Sequence, residues 1–97
     1  MSINFEWDAT KATANLRKHG ISFELAALAF ADPFAFAMQE RIEDGEYRWQ
    51  TLGMVDGCLL LLVAHTVGDI DGAEIIRIIS ARKATKKERQ RYEHENC

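Results

Sequence analysis

Proline is almost absent from this chain: Pro33 stands alone among 97 residues. No Pro-rich or low-complexity linker therefore divides the sequence, and its length suits one domain spanning residues 1–97 with a single modest core. Long apolar runs are missing as well. The longest, Cys58 to Ala64, falls far short of the roughly 20 residues a membrane helix needs, so no membrane partner is expected. The opening Met1-Ser2-Ile3-Asn4-Phe5-Glu6-Trp7-Asp8 lacks the basic-then-apolar pattern of a signal peptide, which points to a cytoplasmic protein. Cysteine is scarce, with Cys58 inside the apolar run and Cys97 at the last position, so a structural disulfide is not expected. Cys58 reads as a small core residue and Cys97 as an exposed thiol that could dimerise in storage.

Glycines at 45, 53, 57, 68 and 72 never take the spacing of a phosphate loop or a dinucleotide fingerprint, which disfavours a nucleotide cofactor. His19, His65, His94, Cys58 and Cys97 show no metal-ligand spacing, and no cofactor is expected. Positive charge is in deficit, with a net charge of −3, which argues against a protein that coats nucleic acid non-specifically. Distribution changes the picture. Arg77, Arg82, Lys83, Lys86, Lys87, Arg89 and Arg91 lie within fifteen positions that hold one acid, Glu88. Such polarity favours a localised anionic ligand or an acidic partner surface.

What the chain does contain is a 47% hydrophobic fraction arranged in alternating blocks. Phe5 and Trp7 read as a short strand or staple. Asp8 can cap a helix that runs to His19 and stops at Gly20. Its Ala9, Ala12, Leu16 and His19 share one face, and Lys11, Asn15 and Lys18 another. Ser22 caps a second helix, with Leu25, Ala26, Ala29 and Phe30 inward, ended by Asp32-Pro33. Phe34 to Met38 alternates as a strand, Glu40 to Gly45 reads as a charged connector, and Tyr47 to Val55 as the next strand. Asp56-Gly57 is a hairpin turn leading into Cys58 to Thr66. Leu59 to Val63 is apolar on both faces and belongs at the centre of the sheet. Gly68 to Gly72 reads as a loop and Ile75 to Ser80 as the last strand. Thr85-Lys86-Lys87-Glu88 matches a capping box that opens a third helix to about His94. The expected architecture is α+β: two N-terminal helices, an antiparallel sheet of about four strands, and a C-terminal helix.

The chemistry-bearing residues concentrate on the strands. Arg77 and Arg82 bracket a β-branched run, and arginine is the side chain that grips phosphate bidentately. Glu46, Arg48 and Gln50 alternate on one face of their strand, and the meander brings Arg48 within one or two strand spacings of Arg77. Such a face could hold a scissile phosphate, with Glu46 or Lys18 handling a proton. Equally, Glu46 could neutralise Arg48 or Arg77 within the fold. His19 falls on the apolar side of its helix and His65 at a strand end, both suited to structural roles. Ser80 has no His and Asp to make it a nucleophile, leaving a phosphate contact or a strand-end hydrogen bond. Lys86, Lys87, Arg89 and Arg91 ring the last helix as a solvated surface would.

Phe5-Glu6-Trp7-Asp8, Lys11, Asn15, Lys18-His19-Gly20-Ile21-Ser22-Phe23, Gly45-Glu46-Tyr47-Arg48, the run from Arg77 to Ala84, Glu88 and Tyr92 together resemble the BrnT family of bacterial type II toxins. The resemblance covers nearly the full chain in order. It implies a RelE-like fold and a metal-independent ribonuclease that arrests growth by cutting RNA. It also implies a BrnA-like antitoxin with a ribbon-helix-helix DNA-binding part, the complex repressing its own operon through operator DNA. Carried over by position, Lys18, Arg48, Arg77 and Arg82 match the family's basic positions and Glu46 its acidic one, with His19, Ser80 and Lys83 as candidate substrate contacts. A rival reading is a non-catalytic module that holds a partner and assists its DNA binding.

Overall fold

Three Asp-Gly dipeptides set the topology of the sheet. Asp44-Gly45, Asp56-Gly57 and Asp71-Gly72 all adopt positive φ at both residues, from 52° to 83°. That is the backbone of the two-residue hairpin turn whose twist matches its strands, and Asp followed by Gly reaches it at low cost. The computed structural model, which describes residues 3–96, accordingly has four strands joined by three hairpins: β2 (Phe36–Glu43), β3 (Glu46–Val55), β4 (Leu59–Ile70) and β5 (Ala73–Lys83). A further strand, β1 (Ile3–Glu6), runs parallel to β5 with Ile3 opposite Glu74 and Glu6 opposite Arg77. The sheet is five-stranded and mixed, in the order β1-β5-β4-β3-β2, rather than the antiparallel sheet of about four strands that the pattern suggested.

The expected connector at Glu40 to Gly45 and loop at Gly68 to Gly72 are therefore hairpin ends. They escape the alternation test because the sheet there outruns its cover and both faces meet solvent. Ile42 and Ile70, for example, are 61% and 63% exposed. Cys58 is likewise exposed rather than in the core. Its N–H donates to the Val55 carbonyl at 3.2 Å, which closes the turn, and pairing resumes only at Val55 with Leu59. Cys97 lies outside the described residues.

Two helices and a 3₁₀ turn cover one face. In α1 (Ala9–His19) the Asp8 carboxylate accepts from the Thr10 and Lys11 amides, and Gly20, at φ 71°, ends the helix by donating to Leu16. In α2 (Phe23–Leu28) the Ser22 hydroxyl accepts from the Leu25 amide at 3.0 Å, and the 3₁₀ turn Ala29–Ala31 follows. Ile21, Phe23, Ala26 and Ala29 pack on Val55, Leu61, Val63, Ile76, Ile78 and Ala81. β4, apolar on both sides, is the central strand as its sequence predicted. Leu60 and Leu62 face the other way, under Tyr92 of α3 (Lys86–Glu95) together with Leu52. The capping box of α3 is present, and the Tyr92 hydroxyl donates to Asp32 Oδ2 at 2.5 Å. Burial and the Asp32 carboxylate push that phenol up to about 12. No helix among the described residues is long and apolar enough to cross a membrane.

The orientation of α1 differs from the sequence expectation. Leu16, assigned to the apolar face, is 50% exposed, whereas Asn15 is buried. The cause lies in the sheet. β1 ends opposite Arg77, so the outer edge of β5 beyond that point has no strand beside it. Asn15 takes the place of one: Oδ1 accepts from the Ala81 amide at 3.1 Å, and Nδ2 donates to the Ala81 and Ile21 carbonyls at 2.8 and 3.0 Å. Leaving such buried backbone groups unpaired costs about 1–3 kcal/mol each, more than burying a leucine face at that point would return with the amides still open.

Two stability predictions follow from the core. A Cβ on Gly53 would lie 2.2 Å from the Ala29 carbonyl oxygen, against backbone that cannot swing aside. Gly53→Ala should therefore cost about 1–3 kcal/mol in urea unfolding, and a midpoint equal to the parent's would show that the 3₁₀ turn yields. His65 is buried, with Nε2 2.7 Å from the Thr51 hydroxyl, Nδ1 3.3 Å from the Thr66 carbonyl, and its ring 4.9 Å from that of Phe30. Burial holds its pKa below the usual 6.5, the Thr66 carbonyl opposing only in part. The unfolded chain thus binds a proton first, and this contribution is complete above about pH 6.5 and declines as pH falls below it. His65→Gln should flatten that decline in a series of unfolding curves; an unchanged slope would remove His65 as its source.

Candidate functional site

Because Asn15 fastens α1 along the edge of β5, the helix turns its Lys11 and Lys18 toward the face opposite α2. A depression of about 240 Å³ is lined there by Lys11, Lys18 and His19 of α1 with Ile79 and Ser80 of β5. Next to it, sharing Lys11, Ile79 and Ser80, lies a second of about 270 Å³ that adds Ala64, Arg48, Gln50, Arg41, Glu40 and Glu43. The two form one continuous patch. Ser80 reaches it through a bulge: Ala64 pairs with Ser80 but His65 with Ile78, so Ile79 is an extra residue that bends β5.

Within this patch the charges are unequally partnered. Arg41 donates to Glu43 from Nε at 3.0 Å, its Nη2 stands 2.9 Å from the same carboxylate oxygen, and its Nη1 meets Glu40 at 3.2 Å. The Arg41 hydrogen bond and charge hold the Glu43 carboxyl below its ordinary range. Arg48 is different. Its side chain is 19% exposed, its Nε is buried with no hydrogen-bond partner among the described residues, and the nearest carboxylate oxygen, on Glu43, stands 3.9 Å away. A desolvated, charged donor without an acceptor is costly in a fold that has no use for it. Lys11, Lys18, Arg48 and the Ser80 hydroxyl therefore form a donor-rich, cationic surface suited to a phosphate. Among the described residues, no three His, Cys, Asp or Glu side chains gather closely enough to hold a metal ion.

The residues singled out from sequence separate into three places. Lys18, His19, Arg48 and Ser80 come together in the patch. Glu46 and Arg77 line another depression of the same sheet face, with Glu6 and Thr66, and Arg77 meets Glu6 at 3.4 Å. Thr66 pairs with Arg77 and His65 with Trp49, so Arg48 and Arg77 stand two strands apart, about 10 Å. Arg82 is held elsewhere: its guanidinium forks onto Glu88 at 2.8 and 2.9 Å, and Glu88 also accepts from the Thr85 amide. These bonds draw the Glu88 carboxyl down to about 2. Lys83 is exposed at the end of β5 and lines none of these depressions. Lys11, Gln50, Arg41 and Glu43 also line the patch but were not among the candidate site residues. Lys11 had a signal, since it lies seven residues before Lys18 on one helix face, whereas Arg41 and Glu43 were hidden in what read as a connector.

Comparisons with known proteins place the chain in a family. No curated protein sequence matches the chain. Among solved structures the fold is similar to the crystal structure of the Brucella abortus ribonuclease toxin BrnT, with a TM-score of 0.64 at 19% identity, covering 89% of this chain and 100% of that one. The family model described as the ribonuclease toxin BrnT of type II toxin–antitoxin systems matches residues 7–88, from Trp7 through the capping glutamate of α3. The chain belongs to the BrnT family of ribonuclease toxins of type II toxin–antitoxin systems.

Proposed function

We propose that this protein is a metal-independent, RelE-like endoribonuclease that inhibits translation and growth by cutting RNA at the patch between α1 and β3–β5. The observation that carries the reading is Arg48, whose buried Nε lacks an acceptor among the described residues and which shares a depression with Lys11 and Ser80, beside the one lined by Lys18. Cleavage of a ribose-phosphate backbone needs a group to draw the proton from the 2′-hydroxyl, cations to stabilise the five-coordinate phosphorane, and a proton for the departing 5′-oxygen. Arg48 and Lys11 supply fixed positive charge where the phosphorane develops, and the Ser80 hydroxyl donates to a phosphate oxygen. Lys18 and His19, adjacent at the end of α1, are the groups placed to move protons. With that charge supplied by side chains, the reaction needs no metal ion.

Arg77 and Glu46 stand outside this patch, and Arg82 serves the fold by tying β5 to the start of α3. A BrnA-like ribbon-helix-helix antitoxin neutralises the toxin, and the complex binds operator DNA through the antitoxin.

Purified protein freed of antitoxin, given end-labelled RNA in excess EDTA, should yield fragments with 2′,3′-cyclic phosphate ends. Arg48→Ala should lower kcat/KM by about 10²–10³-fold while melting near the parent temperature. Cleavage that appears only when Mg²⁺ is restored would overturn metal independence. No cleavage under either condition would favour a non-catalytic module that binds its partner. Arg82→Ala should act in the other direction, lowering the melting temperature by freeing the Glu88 carboxylate from its fork; an unchanged melting curve would show that this pair contributes nothing.

A further inference from the structure

Arg77 lies in a depression whose charge is wrong for phosphate. Of about 500 Å³, it is lined by Glu6, Glu46 and Asp69 with Arg77 as the single cation, and Glu6 already stands 3.4 Å from that guanidinium. A phosphate there would face three carboxylates. A nucleobase edge would not, because it is neutral and carries N–H donors that carboxylates accept. Thr66 forms part of the floor and is only 6% exposed, and no hydrogen bond engages its hydroxyl among the described residues. Val67 and Ile75 supply apolar wall for the face of a ring. The volume is within the range of small-ligand clefts.

We propose that this depression is a guanine-binding subsite for the RNA strand whose phosphate sits at Arg48, an inference that rests on the ribonuclease reading above. Both sites share one sheet face, with Thr66 in register beside Arg77 and Arg48 one strand further on. The separation of about 10 Å is roughly the rise of three stacked nucleotides at about 3.4 Å each, so a strand held at Arg48 carries a base about three positions along across Thr66. Guanine presents acceptors, O6 and N7, beside donors, N1–H and the 2-amino group. Arg77 and Glu6, opposed in register on β5 and β1, present the complementary pair. Adenine lacks the second donor edge, and a pyrimidine lacks N7.

The test uses oligoribonucleotides of adenosine and uridine in which one guanosine is moved stepwise along the strand, with inosine and 7-deazaguanosine replacements. Cleavage at a constant offset from the guanosine, weakened roughly tenfold by either replacement, is the expected result. Arg77→Ala, or Glu46→Gln if that variant fails to fold, should reduce the ratio of rates on guanosine-containing and guanosine-free strands by about tenfold or more. Cleavage without a base preference, or with a different base preferred, overturns the subsite while leaving the ribonuclease intact. If no strand is cut, the ribonuclease reading fails, and binding decides the subsite by itself. Fluorescence anisotropy with 2′-deoxy strands, which cannot be cleaved through a 2′-hydroxyl, should show tighter binding when guanine is present, and equal binding overturns it.

Discussion

One buried amide holds the site together. The outer edge of β5 loses its strand partner after Arg77, and Asn15 supplies from a helix the donor and acceptor a neighbouring strand would have offered at Ala81. An open edge would otherwise invite pairing with another chain. By closing the edge with a side chain, the fold also fixes the rotation of α1. Lys11 and Lys18, about two helical turns apart, then line the same depression as Ser80, so the arrangement of the patch depends on how Asn15 is bonded.

The charge distribution explains which cations are free. The sequence concentrates its basic residues after position 77, yet Arg82 is spent on Glu88 and Arg77 faces Glu6. Arg41 is held by Glu40 and Glu43. Of the guanidiniums on the sheet, Arg48 is the one left with a buried donor open, and its companions are lysines from the other end of the chain. A net-acidic protein can therefore hold a local anion site without being a general binder of nucleic acid, because its remaining carboxylates keep phosphate away from the rest of the face.

Much of the fold was legible. Asp8, Ser22 and the Thr85–Glu88 box mark three helix starts through local hydrogen bonding, and Leu59 to Val63 shows a strand buried on both faces. Where reading failed, tertiary context had replaced the local signal. Asn15 looked like surface because a polar residue on a helix usually is, and only the missing strand beside Ala81 makes it core. Cys58 looked like core because it adjoins four leucines, but the turn geometry of Asp56-Gly57 displaces it. Asp44-Gly45 and Asp71-Gly72 carried the same hairpin signal as Asp56-Gly57, masked by charged flanks. For the candidate site, residue type singled out Arg48 and Arg82 alike, whereas the partners that separate them are set by long-range packing.

The even-numbered positions of β4 divide one sheet face into a packed half and a half with depressions. Leu60 and Leu62 fill the space beneath Tyr92, where α3 covers the sheet. The next two residues on that face, Ala64 and Thr66, are smaller, and the depressions they line include no residue of α3. Ala64 floors the patch at Arg48, and Thr66 floors the depression at Arg77. A leucine at either place would fill the depression with side chain and return the face to ordinary core. The step from large to small side chains along β4 therefore marks the boundary between the half of this face packed under Tyr92 and the half that carries the two depressions.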